Sequence, residues 1–580
     1  MPKPRLDRRD ILKGAGLLGG LAIARAAFGE GSNTQAGPIS EGDVAAAEKI
    51  AGVNYTAAER AMVLEELDDM LDRVRRRRSA IPLENDDAPA LTFDPRLSGK
   101  NYFQPTGGVR LAAETPGPLP HDQSIAFAPL HEQAYWIKNG QLTSSRLTDI
   151  YLQRIRELNG QLNAFITVME AEAKQQAYDA DVEIRSGKYK GPLHGIPYAL
   201  KDLIDTAGVK TTWGAAPYKD RVPEGDAVVT KRLKAAGAVL IGKASMGALA
   251  YGDLWYGGIT RNPWNTQEGA SGSSAGSAAA TAAGLCSFAI GTETLGSVVS
   301  PSARCGAVGL RPTFGRVPRT GAMALCWSLD KIGPICRAVE DTALVLSALN
   351  GADAGDPCSY DWGFAYDGST AAAGNIRIGY DPKWFAGEDA TDLDRQVLDT
   401  LKEMGFTLTE ISLPDLPYPT LLSTVEVEAA AAFEGLTLSG RDDELIWQGK
   451  TAWPNTFRAA RFHSAIEYVQ LDRFRRQVME MMHATFEGVD MIACPNYAGH
   501  MLVITNYTGH PSLTLPLGLI KRPTFPLTGA SDKKMGLERP APYGFTLWGN
   551  MFREDQLIGV GRLLERAANF AAKRPEIDPT

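Results

Sequence analysis

From Leu142 the chain reads LTSSRLTDIYLQRIRELN, with Leu147, Ile150, Tyr151, Ile155 and Leu158 recurring at helical spacing among polar residues. That pattern predicts an amphipathic helix. An Ala-rich helical stretch follows. Short unbroken apolar runs then predict buried strands: GAVLIG at 237–242, CSFAIGTET at 286–294, MIACP from Met491 and SLTLPLGLI from Ser512. The C-terminal EDQLIGVGRLLERAANFAA reads as a further helix. Helices alternating with short apolar strands predict an α/β layer architecture in one large domain from 126 to 580. Upstream, Thr56 and Glu59 have capping-box spacing. Val63, Leu67, Met70, Leu71 and Val74 follow at helical spacing, running out at Arg75–Arg78, which reads as a solvated helix end. Residues 80–125 are rich in Pro and Gly without periodicity, and are expected to lie as an extended segment over the main domain. Together with the helix before them they make residues 27–125 an N-terminal helical and extended segment. Residues 523–541, polar and Pro-rich, read as a surface loop.

The chain has 580 residues, 44% hydrophobic and 22% charged, with a net charge of −8. That balance argues against nucleic-acid binding through overall charge. Six scattered cysteines, no CxxC and no HxxxH give neither a disulfide scaffold nor a zinc site. The thiols are expected to be buried and free, and no metal or cofactor is expected. The N-terminus carries Arg8-Arg9-Asp10-Ile11-Leu12-Lys13, a Gly/Ala/Leu stretch and a small-x-small site at Ala24-Arg25-Ala26. Residues 1–26 thus resemble a twin-arginine signal peptide, which implies export of the folded protein to the periplasm by the twin-arginine machinery. The apolar stretch is short and Gly-rich, so stable membrane insertion is not expected.

GASGSSAGSAAATAAG, 269–284, admits four readings. A flexible spacer would not run on into the helix-forming Ala278–Ala283. A phosphate cradle needs a Lys that the stretch lacks. The nearby Gly237-AVLI-Gly242-Lys243-Ala244 is one residue short of that motif, and its middle is apolar. A nucleophile elbow is a serious alternative, because Gly272-Ser273-Ser274-Ala275-Gly276 fits Gly-x-Ser-x-Gly with Ser274 as nucleophile. His463, His483, His500 and His510 lie downstream as partners. Against it, RNPWNTQEGA ahead of the motif reads as a loop rather than a buried strand.

The fourth reading joins Lys201 in GIPYALKDLIDTAG, Ser273-Ser274, and Ser297 in GTETLGSVVSPS. With RNPWN, GLRPTFGRVPRTG, WSLDKIGPICRAVEDTALVLSALNGADAGDP, TNYTGHPSLTLPLG and FREDQLIGV in the same order, the chain from about 126 to 570 resembles the amidase signature family. The resemblance implies a mixed central β-sheet flanked by helices, and a Ser-cisSer-Lys triad of Ser297, Ser273 and Lys201. Ser297 is the implied nucleophile. Ser273, placed before a cis peptide bond, relays the proton, and Lys201 is the base. The implied oxyanion hole is the backbone N–H groups of Thr294, Leu295, Gly296 and Ser297, with Ser274 supporting them. A Lys serves as base only when neutral, so burial must lower its pKa by about three units, worth about 4 kcal/mol. Asp202, adjacent on a strand, is expected to face the other way.

Departures from the family pattern leave the triad intact but not the substrate. Leu295 stands where a Gly is common, Val299 where an Arg is common, and Ala248 where a Glu is common. The resemblance therefore implies an exported amidase that cleaves the C–N bond of a small amide, or also an ester, through an acyl-serine. Three alternatives stay open: a Ser-His-acid esterase using Ser274, the A subunit of a glutamine-dependent amidotransferase, and a non-catalytic amide-binding protein. Ala248, the stretch YGDLWYGGIT and the export signal weigh against the amidotransferase. Residues 360–500 match the family least and are expected to form the main specificity wall. Trp327 and Cys326 fit either a pocket lining or the core. A homodimer is compatible with the sequence, which leaves oligomeric state open.

Overall fold

The parallel-strand runs that read as continuously apolar are buried along their whole length, as expected when helices cover both faces of a sheet. In the computed structural model, residues 39–577 are described apart from 82, 113–114, 371, 373–374, 388–389 and 528–534. The expected signal segment, residues 1–26, lies outside the described residues. Two units are distinguished: a large one of Pro82–Phe433 and Asp443–Thr580, and a small one containing the chain up to Ile81 and Glu434–Asp442.

The large unit holds an 11-stranded sheet. In chain order its strands are β1 (Phe165–Val168), β2 (Pro197–Lys201), β3 (Val239–Ala244), β4 (Phe288–Glu293), β5 (Val308–Arg311) and β6 (Lys331–Cys336). They continue with β7 (Arg377–Tyr380), β8 (Thr407–Glu410), β9 (Met491–Pro495), β10 (Ser512–Thr524) and β11 (Met535–Gly549). Across the sheet the order is β8-β7-β9-β11-β10-β5-β6-β4-β2-β3-β1. β2 runs parallel to both β3 and β4, and β7 to both β8 and β9, whereas β4, β6, β5, β10 and β11 pair antiparallel in series. The sheet is thus mixed, as the α/β reading requires. The predicted helices form at Ser144–Leu162 and Glu554–Ala568, and every residue of the helix Ala275–Ala282 is buried.

One stretch departs from expectation; another lies over the main domain as expected but moves the domain boundary. Residues 523–541 are not simply a loop: β10 and β11 carry on as a hairpin whose pairing reaches Arg522 with Arg539 and Thr524 with Met535. Backbone pairing across this ribbon outweighs the polar, Pro-rich composition, and its prolines tolerate the place because strand edges need no donor there. Residues 83–125 pack with the large unit. Phe93 meets Phe314 edge-on with centroids 5.0 Å apart, Trp136 Nε1 donates to the Gly117 carbonyl at 3.0 Å, and Val109–Arg110 pairs in parallel with Tyr366–Asp367. The boundary between units therefore falls at 81/82, ahead of residue 126.

In the small unit, α1 (Glu41–Ala51) and α2 (Ala57–Ala80) both begin with a capping box, on Ser40/Asp43 and Thr56/Glu59. The apolar stripe of α2 is shallow: none of its residues is fully buried, and Met70 and Val74 are exposed. Its basic end is less free than a solvated run, because Arg77 and Arg78 both reach Glu434, at 2.8 and 2.9 Å.

Candidate active site

Lys201 is the last residue of β2, and its neighbours β3 and β4 run the same way, so all three open at one sheet edge. That edge, beyond the carboxyl ends of parallel strands, is where such sheets hold ligands. Register pairs Leu200 with Ile290, which carries the Lys201 amine to the end of β4. There Nζ lies 2.8 Å from Thr292 Oγ1, 2.9 Å from Ser273 Oγ, 3.0 Å from Ser274 Oγ and 3.4 Å from the Thr292 carbonyl. The side chain is fully buried. Burial pushes its pKa down to about 7, against the opposing pull of Asp330 and Glu293. Asp202 turns away, as expected, and accepts the Thr212 N–H and hydroxyl at 2.9 and 2.5 Å. Burial raises its carboxyl to about 6, with Lys243 pulling the other way.

Ser273 is reached through a cis peptide bond from Gly272. The bond precedes Ser273, the reverse of the expected order. A Cβ on Gly272 would lie 1.9 Å from the Gly252 carbonyl oxygen, so only glycine fits. Ser274 opens the buried helix Ala275–Ala282. Its N–H donates to the Ser297 carbonyl at 3.2 Å, which ties the Gly/Ser stretch to the third predicted segment. Its hydroxyl donates to the Thr292 carbonyl at 3.0 Å and accepts the Thr292 N–H at 3.1 Å as well as Lys201.

This arrangement does not have the parts of a nucleophile elbow. The Ser274 hydroxyl is fully engaged and buried. The chain before it pairs only as a small antiparallel hairpin, Arg261–Asn262 with Asn265–Gly269, outside the large sheet. That hairpin replaces the loop expected for RNPWNTQEGA. Among the described residues no histidine bonds to Ser274: His463 meets Glu426 at 3.2 Å and His510 meets Thr508 at 2.7 Å.

Between β4 and the helix Val299–Cys305, residues Thr294–Val298 form a tight turn. Glu293 sets its shape from below. One carboxylate oxygen accepts the N–H groups of Val298 and Val299, at 2.8 and 3.0 Å. The other accepts Arg311 at 2.6 Å and Asn506 at 2.9 Å. Burial by itself would raise this carboxyl, but Arg311, the Val299 N–H and Lys331 hold it down to about 2. Gly296 sits at φ +88°, a conformation that side chains resist. With Val298 and Val299 committed to Glu293, the N–H groups of Leu295, Gly296 and Ser297 have no acceptor among the described residues. Successive free amides on such a turn make a concavity that suits negative charge. Ser297 itself is buried to 7% exposure. The Leu295 side chain is partly buried and packs against the apolar core that holds Val299, Met501 and Ile504.

Next to the strand end lies a cavity of about 190 Å³, into which Thr292 and Thr294 face. Asp330 forms part of its wall, accepting the Thr294 hydroxyl at 2.6 Å and the N–H groups of Leu325 and Cys326 at 2.8 and 3.0 Å. Trp327 lines it, whereas Cys326 belongs to the apolar core. No lining residue comes from 360–500; most of the wall comes instead from residues 319–325, 330–332 and 355–357, with Asn85, Asp86 and Ala88 of the N-terminal segment. The expected specificity wall is therefore displaced: much of 418–488 is helical and closes the core on Tyr418, Val478 and Met482.

The sequence reading brought together Lys201, Ser273, Ser274 and the Ser297 turn, and the fold does so too. It missed Thr292, Glu293, Arg311, Asn506 and Asp330. Arg311 left a trace, a charged residue ending the apolar run VGL, but its partner is set by the sheet and not by spacing.

Residues 146–558 match the amidase family model. The chain belongs to the amidase signature family. Among curated relatives it is 35% identical over 478 residues to the A subunit of glutamyl-tRNA(Gln) amidotransferase from Roseiflexus castenholzii, with 76% of this chain and 96% of that one covered. A relative of the same name from Moorella thermoacetica is 30% identical, covering 78% of this chain and 99% of its own. Among solved structures, native peptide amidase from Stenotrophomonas maltophilia superposes with a TM-score of 0.66 at 28% identity, over 78% of this chain and 99% of that one. The mixed sheet flanked by helices is thus an amidase-family fold.

Proposed function

We propose that this amidase-family enzyme hydrolyses a carboxylic amide through an acyl-serine on Ser297, with Ser273 and Lys201 completing the triad. The observation that carries this reading is the buried Lys201 amine, 2.9 Å from Ser273 Oγ, beside a turn with free amides. Neutral Lys201 takes the Ser273 proton as Ser273 takes that of Ser297, and Ser297 Oγ adds to the amide carbon. The developing oxyanion is met by the N–H groups of Leu295, Gly296 and Ser297, with Thr294 at the edge of the turn. The C–N bond breaks as the proton returns through Ser273 to the leaving nitrogen. Water then repeats the sequence on the acyl-ester and releases the acid. Lys201 near pKa 7 can both take and return that proton.

Labelling with a fluorophosphonate and mapping of the modified peptide tests the roles. A label on Ser297 that is lost in Lys201→Ala supports the triad. A label on Ser274 would transfer the function to that serine, and none on the folded protein would remove the catalytic reading.

The names of the curated relatives favour a second reading, one component of a glutamine-dependent amidotransferase. It predicts glutamine hydrolysis with ammonia passed to an acceptor only when the other components are supplied. The hydrolase is preferred because Ala248 and the YGDLWYGGIT stretch depart from the pattern of those proteins. Export through Arg8-Arg9 belongs to the same proposal. A fusion with both arginines replaced by Lys should stay in the cytoplasm, and unchanged export would refute that part.

A further inference from the structure

The cavity wall supplied by residues 84–88 lies outside the stretch that matches the family model. Its placement is specific. Glu84 and Asp87 close a turn, through Asp87 N–H to the Glu84 carbonyl at 3.1 Å and Glu84 N–H to Asp87 Oδ2 at 2.8 Å. Asn85 and Asp86 sit at the centre of that turn. The Asn85 amide is clamped to one residue of the opposite wall: it donates to the Ala324 carbonyl and accepts the Ala324 N–H, both at 2.8 Å. A side-chain amide paired both ways with a backbone acts as a short strand pairing, and fixes where the next residue stands.

Five charged residues line the cavity, and four are spent. Arg319 forks onto Asp356 at 2.9 Å from both Nε and Nη2. Asp330 holds the three donors already described. Lys331 is buried and donates to the Leu329 carbonyl. Asp86 alone has no hydrogen-bond or ion-pair partner among the described residues, and it is exposed at the mouth. The remaining lining combines the Thr292, Thr294 and Thr320 side chains with the apolar Leu203 and Met323 and the Trp327 ring, whose buried Nε1–H has no hydrogen-bond partner among the described residues. A ligand in this space meets threonine hydroxyls at the strand end, the apolar Leu203 and Met323 beside the Trp327 ring, and one unmatched negative charge at the rim.

We infer that Asp86, positioned by Asn85, selects amides that carry a positively charged group away from the scissile bond. The inference rests on the amidase reading for the position of that bond. It fits a small substrate with an apolar body and an ammonium or amidinium tip. A rim carboxylate acts over a short, salt-screened range, so the preference is modest and falls with ionic strength.

The test is a matched pair: 4-(aminomethyl)benzamide and 4-ethylbenzamide, of one shape and differing in charge. Their affinities are measured by calorimetry on Ser297→Ala protein at low and high salt. The cationic amide is expected to bind about fivefold more tightly at low salt, with the ratio falling towards one in high salt. Asp86→Asn should bring the low-salt ratio to about one, and Asp86→Lys should invert it. Asn85→Ala, checked for an unchanged melting transition, should also lower the ratio by releasing the turn. Equal affinities in the parent protein, or a preference that survives Asp86→Asn, would overturn the inference. Fluorophosphonate labelling of Ser297 in the unsubstituted protein reports the amidase reading separately. A charge preference without labelling would leave the cavity's selectivity standing and the catalytic assignment fallen.

Discussion

Thr292 meets Lys201 through its hydroxyl at 2.8 Å, while its carbonyl receives the Ser274 hydroxyl at 3.0 Å. One residue at the end of a strand thus fixes both the Lys201 amine and the serine beside it. No carboxylate is needed to hold the amine, which would otherwise keep it charged.

The pH profile of an enzyme built this way follows the amine. With the Lys201 pKa near 7, amide hydrolysis should rise about tenfold per pH unit below that value and level off above it. A profile flat from pH 5 to 9 would exclude Lys201 as the base.

Stability should carry the same signature. The unfolded lysine titrates near 10.5 and the folded one near 7, so the unfolded chain binds the extra proton between them. Folding stability therefore rises with pH across that window, and about 5 kcal/mol of burial cost is present below pH 7. Lys201→Met removes the term. Thermal melts should show the variant gaining on the parent as pH falls from 10 to 6, alongside a loss of activity of at least about a thousandfold.

Removing the Thr292 hydroxyl tests its share. Thr292→Val keeps the shape and deletes an acceptor that stabilises the ammonium form. The pH midpoint should move below that of the parent, and kcat should drop by about tenfold. An unmoved midpoint would mean that the hydroxyl only packs.

Glu293 is a structural carboxylate that should matter as much as a catalytic group. Glu293→Gln leaves Arg311 buried without a counter-charge and weakens the grip on Val298 and Val299. A loss of about 3–5 kcal/mol is expected in urea unfolding. In the parent, the depressed pKa means this contribution is whole above about pH 4.5 and is lost as pH falls towards 2.

Gly296 offers a finer probe of the turn. A Cβ there stands 3.1 Å from Leu502 Cδ2 at a φ of +88°, so Gly296→Ala is strained both ways. About 1–3 kcal/mol of destabilisation is expected, with kcat falling more than affinity. Trimming Leu502 to Ala should recover little, since the backbone strain stays.

Much of this site was legible because the chemistry is carried by short segments with their own local character. Lys201 ends an apolar run, Ser273 and Ser274 sit in a Gly/Ser stretch that becomes a helix, and Ser297 follows a buried strand. What could not be read is what the sheet brings together. Glu293 and Arg311 are 18 residues apart and meet only because β4 and β5 flank β6. Asn85 reaches Ala324 across 239 residues, and nothing in the Pro/Gly-rich 80–125 marks it as a clamp. Divergence from the family pattern over 360–500 points to a specificity wall there, yet residues such as Tyr418, Val478 and Met482 close an apolar core and none of the stretch lines the cavity. The hairpin at 523–541 was hidden because prolines on a ribbon edge cost pairing little.

All six cysteines are free and buried, and burial raises their thiols, that of Cys286 to about 11 and those of Cys305, Cys326, Cys336 and Cys494 well above the ordinary range too. At neutral pH such sulfurs carry almost no thiolate and present no surface to a reagent. The native molecule should therefore ignore alkylating agents and mild oxidants alike, and pass between reducing and oxidising surroundings without covalent change. Each thiol becomes a clock for opening: the pace at which iodoacetamide reaches it measures how often that part of the molecule comes apart.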